Sequence, residues 1–214
     1  MPSDVSRETL TQAGVHVSRE TLVRLECYAA LLLRWNRTVN LVAHADERDI
    51  WTRHIADSAQ LAPLFSPQAN HAIDLGSGAG FPGLVLSLIT GIHFELVEAD
   101  HRKVAFLAEA ARVTGAPVRI HAVRVERARI EPAPVVTARA FAPLSKLIRV
   151  ASPLLRDDGV LLAPKGRNAE NELTGALGEW HMQVRRIPSR TAREATILML
   201  SEIHRAGAPE RGTV

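Results

Sequence analysis

The chain has 214 residues, of which 46% are apolar and 23% charged, as is typical of one soluble globular domain. A single cysteine, Cys27, excludes an internal disulfide and a metal cage built from cysteines. No apolar run approaches the ~20 residues that span a bilayer, and the amino terminus lacks the apolar core of a secretory signal. The composition therefore predicts a protein that is neither exported nor embedded in a membrane.

The net charge of +3 conceals an uneven distribution of basic residues. Segments 1–65 and 66–137 are nearly balanced, whereas residues 138–214 hold twelve basic and eight acidic residues. Only three of the 26 basic residues are lysines, and a bias of genome composition would explain the excess of arginine. A local basic surface that faces phosphate is the other explanation, because the placement of charge matters more than its sum. Composition leaves both open.

The first 66 residues carry helical patterns. Residues 18–36 place leucines at helical spacing behind Ser18, a residue type that caps helices. Segment 46–62 starts with acidic residues and stops at Pro63, as a helix does. The first ~15 residues and the tail from Ala206 are expected to be disordered. Pro63 and the Ser66-Pro67 pair predict a linker, which divides the chain into a helical extension (1–66) and a second unit (67–214).

From residue 71 onward, short apolar runs alternate with helical stretches. Candidate strands lie at 72–75, 94–97, 118–120, 135–137 and 160–163, and helical stretches lie near 83–90, 102–113, 144–151 and 168–180. This alternation predicts a parallel sheet with crossover helices. Two further strands, 182–187 and 196–203, are too close in sequence for a helical crossover, so an antiparallel pair is expected. The fold class is α/β, with a mixed seven-stranded sheet flanked by helices.

The strongest local signal is the run Asp-Leu-Gly-Ser-Gly-Ala-Gly-Phe-Pro-Gly at 74–83. Its glycines Gly76, Gly78 and Gly80 stand where a strand gives way to a helix, so the backbone can turn tightly and approach a ligand closely. A dinucleotide fingerprint would need Gly or Ala in place of Phe81, and a P-loop would need Gly-Lys-Ser/Thr. The order Asp-x-Gly-x-Gly-x-Gly instead resembles the first motif of class I S-adenosylmethionine-dependent methyltransferases. A glycine-rich turn without a ligand is the alternative.

Carboxylates follow the next two candidate strands. Glu98 stands where a doubly wound sheet places an acceptor for ribose hydroxyls. Asp100 is near enough to substitute but is better suited to cap the following helix. Val125 and Glu126 come one strand later, where an adenine pocket is expected, although Glu126 also suits a solvated helix start.

Six blocks of residues, in order along about 30–168, are similar to the glucose-inhibited division protein B family, the small-subunit ribosomal RNA guanine-N7 methyltransferases. The Phe-Pro-Gly end of the loop is more specific than its glycines. The blocks are Leu33-Arg34-Trp35-Asn36 and Asn40-Leu41 with His54-Ile55-x-Asp57-Ser58; Gly76 to Gly83; Lys103 with Phe106-Leu107; Arg124-Val125-Glu126; Arg139-Ala140-Phe141; and Leu162 to Gly166.

The resemblance implies a class I S-adenosylmethionine-dependent methyltransferase fold, S-adenosylmethionine as the cofactor, and methylation at N7 of one guanosine in 16S rRNA, position 527 in the rRNA numbering. The implied partner is 16S rRNA or the 30S subunit in the bacterial cytoplasm, and we expect a monomer. The family commonly has Asp where this chain has Glu98. Glutamate also accepts hydrogen bonds from ribose hydroxyls, but its side chain is longer by one methylene group. The implied cofactor contacts are Gly76, Phe81, Val125, Glu126 and Arg139, beside the loop glycines Gly78 and Gly80.

Guanine N7 presents a lone pair with no proton to remove, so methyl transfer to it does not require a general base. Positioning and electrostatic stabilisation can carry the reaction. No motif in the chain demands a nucleophilic dyad, so no residue is assigned as catalytic, although Arg139 and Lys165 are candidates for electrostatic or positioning roles. The histidines lack metal-ligand spacing, so no metal is expected, and His54 is assigned to capping or packing.

Basic residues are expected to frame the entrance for RNA. Lys165 and Arg167 follow a strand end, where ligands bind in open α/β sheets, and suit phosphate as a point charge and as a bidentate donor. Arg102 and Lys103 join them, with Arg102 standing where the family often has a second lysine. For Arg139, the resemblance implies contact with the cofactor, and an ion pair with an rRNA phosphate is the physical alternative.

Other functions stay open from the residues alone. Phe81 suits a core aromatic as well as a wall of the cofactor or target-base pocket. The same cofactor fold could methylate a small molecule or a protein. A non-catalytic module for ribosome assembly and an NAD oxidoreductase are further alternatives, the second weakened by Phe81 and by the lack of a separate substrate domain.

Overall fold

The computed structural model describes residues 4–43 and 46–207. The helices are Asp4–Gln12 (α1), Arg19–Asn36 (α2), Glu47–Asp49 (α3), Ala56–Ala59 (α4), Gly83–Thr90 (α5), His101–Thr114 (α6), Leu144–Ala151 (α7) and Ala169–Leu177 (α8). The strands are His71–Leu75 (β1), His93–Val97 (β2), Val118–His121 (β3), Ala133–Thr137 (β4), Leu155–Lys165 (β5), Trp180–Pro188 (β6) and Thr196–Arg205 (β7). A π-helix at Ile50–Ile55 joins α3 to α4, and short 3₁₀ turns lie at Ala62–Leu64, Val125–Arg127 and Ser152–Leu154.

The seven strands form one sheet in the order β3-β2-β1-β4-β5-β7-β6. Strands β1 to β5 pair in parallel, whereas β7 pairs antiparallel with both β5 and β6. This arrangement confirms the predicted mixed sheet. The strand order reverses between β1 and β4, and ligands bind at such a switch point because the loops that leave the two strands diverge there.

Apolar side chains cover both faces of the sheet. On one face α2, α5 and α6 bury Tyr28, Leu84 and Phe106, and on the other α7 and α8 bury Leu147 and Leu173. The helices before residue 66 contribute to the first of these clusters together with β1, β2 and α5. The helical extension therefore shares a core with the sheet, and the division at residue 66 stays a prediction.

Helix starts follow the capping residues seen in the sequence. The Ser18 side chain accepts a hydrogen bond from the Thr21 amide (3.1 Å) and begins α2. Asp100 accepts one from the Arg102 amide (2.8 Å) and begins α6, which confirms its assignment as a cap. Such bonds satisfy amides that have no partner inside the helix.

Two segments differ from the sequence-based expectation. Helix α1 occupies part of the amino-terminal segment that was expected to be disordered, because Leu10 and Val15 pack into the first core cluster. The helix expected at 168–180 ends at Leu177, since Trp180 starts β6 and packs into the second cluster. The end of the tail, residues 208–214, lies outside the described residues. Among the helices of the described ranges, none is both long and apolar enough to cross a membrane.

Candidate active site

The glycine loop, residues 76–83, leaves β1 at the switch point of the sheet. Gly76, Gly78 and Gly80 have φ angles of +68°, +58° and +100°, which residues with a Cβ rarely adopt. The amides of Gly76 and Ser77 donate to the carbonyl of Val97 (2.8 and 3.1 Å), which ties the loop to β2. The atom nearest to a Cβ built on Gly78 is the Gly76 carbonyl oxygen, 3.8 Å away. The backbone at Gly78 is therefore open to close approach by a ligand.

Glu98 faces this loop from the carboxyl end of β2. Its Oε2 accepts a hydrogen bond from the Gly78 amide and its Oε1 accepts one from the Asp100 amide, both at 2.8 Å. A carboxylate oxygen can accept two hydrogen bonds, so each of the two oxygens keeps an acceptor position for a ribose hydroxyl. An open glycine backbone beside an oriented carboxylate is a donor and acceptor set that fits the nucleoside and amino-acid parts of S-adenosylmethionine.

Asp74 anchors the glycine loop from below. Its side chain is fully buried, with Oδ1 accepting from the Thr137 hydroxyl (2.7 Å) and Oδ2 from the Gly83 amide (3.2 Å). Burial raises the pKa of Asp74 from its usual 3.8 to about 6, against the opposing effect of hydrogen bonds from Thr137, Ser77 and Gly83. One buried carboxyl therefore links β1, β4 and α5.

The expected adenine position lies one strand further along the sheet. Val125 and Glu126 form the 3₁₀ turn after β3, and the side chain of Val125 is buried while that of Glu126 is exposed. The Glu98 amide donates to the carbonyl of His121 (3.1 Å), so the carboxyl ends of β2 and β3 lie side by side. The structure thus brings both residues to the same edge as Glu98, and their contact with the adenine stays a prediction.

Side chains from the helical extension hold the glycine loop on its other side. The Tyr28 hydroxyl of α2 donates to the Ala79 carbonyl (2.6 Å), and burial raises the pKa of Tyr28 well above its usual value. The ring of Phe81 is 4% exposed and stacks on His54 with ring centroids 5.0 Å apart. The side chain of Phe81 is therefore packed in the core, and contact of residue 81 with the cofactor stays a prediction.

Arg139, just after β4, is enclosed by the π-helix. Its guanidinium donates to the Arg53 carbonyl (3.1 Å), to Asp57 Oδ2 (3.2 Å) and to His54 Nδ1 (3.0 Å), and its Cζ lies 4.9 Å from the centroid of the Phe81 ring. Burial, followed by the positive charge of Arg139, lowers the pKa of His54 from 6.5 to about 4. His54 is therefore neutral near pH 7 and accepts a hydrogen bond, in a packing role. A π-helix at a functional site is a recurrent observation.

Sequence reasoning missed the role of Asp57. Its Oδ1 accepts hydrogen bonds from the Thr191 hydroxyl and from Gln60 Nε2, both at 2.8 Å, while Oδ2 pairs with Arg139. One carboxylate thus connects the helical extension, the end of β4 and the β6–β7 loop. Asp57 stands inside a family block, which was the only signal for it, because its partners lie 82 and 134 residues away in sequence.

A cavity of about 550 Å³, here called the β4–β5 cavity, opens where β4 and β5 end. Its size is in the range of ligand pockets. The Phe141 ring lines it and also covers the glycine loop, since a Cβ built on Gly76 would lie 2.6 Å from Phe141 Cδ2. A cavity of about 580 Å³ lies at the opposite edge of the sheet, around Asp158 and His204, away from the loop. The full lining of the β4–β5 cavity is Arg53, Asp57, Arg139–Pro143, Pro164–Gly166, Glu172, Thr191, Ala192 and Ala195.

The four basic residues expected at the RNA entrance differ in accessibility. The side chain of Lys165 is only 9% exposed, and its Nζ donates to the Ala142 carbonyl and to Glu172 Oε2, both at 2.8 Å. Arg167 is 82% exposed and pairs with Glu194, and Arg102 is exposed and pairs with Asp100. Lys103 is half-buried on α6. Lys165 therefore braces the loop after β4, and contact of these four residues with RNA stays a prediction.

Within the described ranges, no group of three or more His, Cys, Asp or Glu side chains is arranged to hold a metal ion. The chemistry available at the site is that of an oriented carboxylate, an enclosed guanidinium and an open glycine backbone. This set can bind and position a cofactor and a planar acceptor. The expectation that the reaction uses no metal stays a prediction.

Solved structures share this architecture. The ribosomal protein L11 methylase of Lactobacillus delbrueckii subsp. bulgaricus matches with a TM-score of 0.57 and 14% identity, over 71% of this chain and 79% of that chain. A SAM-dependent methyltransferase of Aquifex aeolicus matches with a TM-score of 0.57 and 12% identity, over 71% and 92%. At these identities the likeness shows the fold alone. The fold and the glycine loop define a class I S-adenosylmethionine-dependent methyltransferase.

Sequence relatives identify the particular family. A family model described as rRNA small subunit methyltransferase G matches residues 21–197. The relative of that name from Granulibacter bethesdensis is 55% identical over 92% of both chains, and the one from Rhodospirillum centenum is 51% identical over 95% of this chain and 94% of its own. The chain belongs to the rRNA small subunit methyltransferase G family. This confirms the family resemblance carried by the six sequence blocks.

Proposed function

We propose that this chain transfers the methyl group of S-adenosylmethionine to N7 of one guanosine in 16S rRNA, at position 527 in the rRNA numbering. The family match over residues 21–197 carries the proposal. The intact glycine loop and the Glu98 carboxylate that faces it support it, because a chain without methyl transfer activity would not need them. We place the reaction in the bacterial cytoplasm, with a monomer as the active form.

The residues of the chain contribute binding and orientation. When bound, S-adenosylmethionine supplies an electrophilic methyl group on its sulfonium. Glu98 accepts hydrogen bonds from the ribose, the backbone of Gly78 allows close approach, and Arg139 is held by Asp57 beside the loop. Since guanine N7 carries no proton, the site needs no general base, and positioning with a fixed electrostatic field is sufficient.

Basic residues at the same edge of the sheet guide the RNA. Arg102 and Lys103 begin α6, which follows β2, while Lys165 and Arg167 lie where β5 ends, so the carboxyl ends of the parallel strands bring both pairs to one edge. Arg102 and Arg167 are exposed and each pairs with a surface carboxylate. Exposed ion pairs contribute little energy, so a phosphate can replace the carboxylate at small cost.

The deciding experiment maps N7-methylguanosine by mass spectrometry in 16S rRNA from a strain that lacks this gene. We expect the modification at position 527 to disappear, to return with the wild-type gene, and to stay absent with Glu98→Ala. Glu98→Ala removes the acceptor of the Gly78 amide and is expected to weaken cofactor binding at least about tenfold in calorimetry. Asp158→Asn, exposed at the opposite edge of the sheet, is the matched control and should restore methylation.

The alternatives give different results. Unchanged methylation in the deletion strain contradicts the proposal. Tritium that passes from labelled cofactor to small metabolites instead of to rRNA or 30S particles indicates a small-molecule methyltransferase. Failure of the chain to bind S-adenosylmethionine in calorimetry favours a non-catalytic assembly module. The same tritium assay, run on naked 16S rRNA and on 30S particles, identifies which of the two is the substrate.

A further inference from the structure

We propose that the β4–β5 cavity receives the target base and that the carboxylate of Glu172 selects guanine there. The inference rests on the proposed function, since it assigns the subsite in which that function chooses its base. It concerns a helix, α8, that lies outside every block of family resemblance in the sequence.

Phe141 places the cavity directly beside the glycine loop. A Cβ on Gly76 would lie against this ring, and the ring also lines the cavity, so a planar base that packs on Phe141 lies next to the glycine loop. Enzymes that modify bases in nucleic acids extrude the base into a pocket and stack it on apolar or aromatic side chains. Phe141 supplies such a surface at the edge of the sheet where the cofactor binds.

The loop that carries Phe141 is held in an unusual conformation. Ala140 has a φ of +50°, in the left-handed region that residues with a Cβ seldom occupy. Arg139 is fixed on one side by Asp57, and on the other side the Ala142 carbonyl accepts a hydrogen bond from Lys165. Strain of this kind persists where neighbouring contacts impose it, and it concentrates at ligand sites. The position of the Phe141 ring is therefore set by the surrounding structure.

Glu172 brings an oriented carboxylate into the same cavity. Its Oε2 accepts hydrogen bonds from the Leu144 amide and from Lys165 Nζ, both at 2.8 Å. Its side chain is 29% exposed, and across residues 4–43 and 46–207 nothing donates a hydrogen bond to its Oε1. One oxygen is thus anchored by two donors, which fixes the side chain, and the other oxygen is free to accept hydrogen bonds from a ligand.

The free oxygen matches the edge that distinguishes guanine from adenine. Guanine presents N1–H and the 2-amino group side by side on its Watson–Crick edge, and both are donors. Adenine presents the N1 lone pair there, which a carboxylate repels. A base held by its Watson–Crick edge leaves N7, on the Hoogsteen edge, free for methylation. A carboxylate therefore provides both selection of guanine and a compatible orientation.

The test compares two target bases in the same enzyme. Full-length 16S rRNA is assembled by ligation with guanosine or inosine at the target position and is used both naked and reconstituted into 30S particles. The value of kcat/KM is measured for each target base in the form of the substrate that the enzyme methylates. Inosine keeps N7 and N1–H but lacks the 2-amino group. We expect the wild-type protein to prefer guanosine by about tenfold or more, the effect of one hydrogen bond to a charged group. A wild-type ratio near one would overturn the proposal.

Glu172→Gln is the informative variant because it keeps the size of the side chain. The two donors that hold Oε2, Leu144 N–H and Lys165 Nζ, will take the amide oxygen of glutamine and leave its NH₂ group facing the cavity. That group cannot accept a hydrogen bond from the guanine 2-amino group and opposes it as a second donor, so we expect the guanosine-to-inosine ratio to fall to one or below. Glu170→Gln on the same helix, whose carboxylate pairs with Arg186, is the matched control and should keep the wild-type ratio.

A purely structural role for Glu172 predicts a different guanosine-to-inosine ratio for Glu172→Gln. If Glu172 only braced the loop through Lys165, both substrates would react more slowly by the same factor and the ratio would stay at its wild-type value, which overturns the proposal. Absence of any N7 methylation by the wild-type protein, on the guanosine substrate both as naked rRNA and in 30S particles, overturns the proposed function instead. The two failures are therefore distinguishable in one set of measurements.

Discussion

Replacing Asp74 with asparagine removes the charge of a fully buried carboxyl group at constant size. In the wild-type protein its two oxygens accept hydrogen bonds from the Thr137 hydroxyl and the Gly83 amide. In the variant, the amide oxygen accepts from Gly83 and the NH₂ group donates to the Thr137 oxygen. The Thr137 hydroxyl then turns its proton to the Ile73 carbonyl, 3.5 Å away. The substitution thus changes the charge while each buried donor keeps a partner.

The magnitude follows from the pKa of Asp74, which burial raises from 3.8 to about 6. Between these pH values the folded state keeps a proton that the unfolded state has released. The resulting stabilisation is complete below pH ~4 and is lost as the pH rises through ~6. A difference of about two pH units corresponds to ~3 kcal/mol, so near pH 7 the buried charge destabilises the wild-type fold by about that amount.

Urea unfolding followed by tryptophan fluorescence, at several pH values between 4 and 8, tests this argument. The free energy of unfolding of Asp74→Asn minus that of the wild type should increase by roughly 2 kcal/mol from pH 4 to pH 7, because part of the ~3 kcal/mol is already lost at pH 4. Using the difference removes the contributions of all other titrating groups. Asp158→Asn, at an exposed position, should show no such increase. A difference for Asp74→Asn that stays constant with pH would refute the reasoning.

Two further variants, one single and one double, test packing and RNA binding. In Gly83→Ala the new Cβ would lie 2.6 Å from Asp74 Cβ, so we expect about 1–3 kcal/mol of destabilisation and a lower Tm in calorimetry. Gly175→Ala, whose Cβ would meet nothing within 4 Å, is the helical control, and equal Tm values for the two variants would contradict this packing argument. Replacing Arg102 and Arg167 together with alanine should weaken rRNA binding and lower the slope of log K against log salt by ~1 for each phosphate that the protein no longer neutralises. A double variant with the wild-type salt slope would exclude these two arginines from the RNA interface.

Local sequence determined much of the fold and the cofactor side of the site. The alternation of apolar runs predicted every strand, and Ser18 and Asp100 marked helix starts, because periodicity and capping act over a few residues. Gly76, Gly78 and Gly80 predicted the ligand-binding loop, since glycine, which has no Cβ, adopts the positive φ angles found there at no steric cost. Such properties are visible in a sequence because they do not depend on distant parts of the chain.

The tertiary structure decided what the charged residues do. Arg139 is enclosed by a π-helix that lies more than 80 residues earlier in the chain, and it pairs with Asp57, 82 residues before it. Lys165 pairs with Glu172 and is nearly buried. No local sequence pattern predicts these ion pairs, because the burial of a charged side chain and its partner depend on which loops meet at the edge of the sheet. The basic excess of the last third illustrates the point. The sequence located the charges, and only the fold showed that Arg139 and Lys165 are enclosed and paired with Asp57 and Glu172, whereas Arg167 is exposed and pairs with Glu194 at the surface.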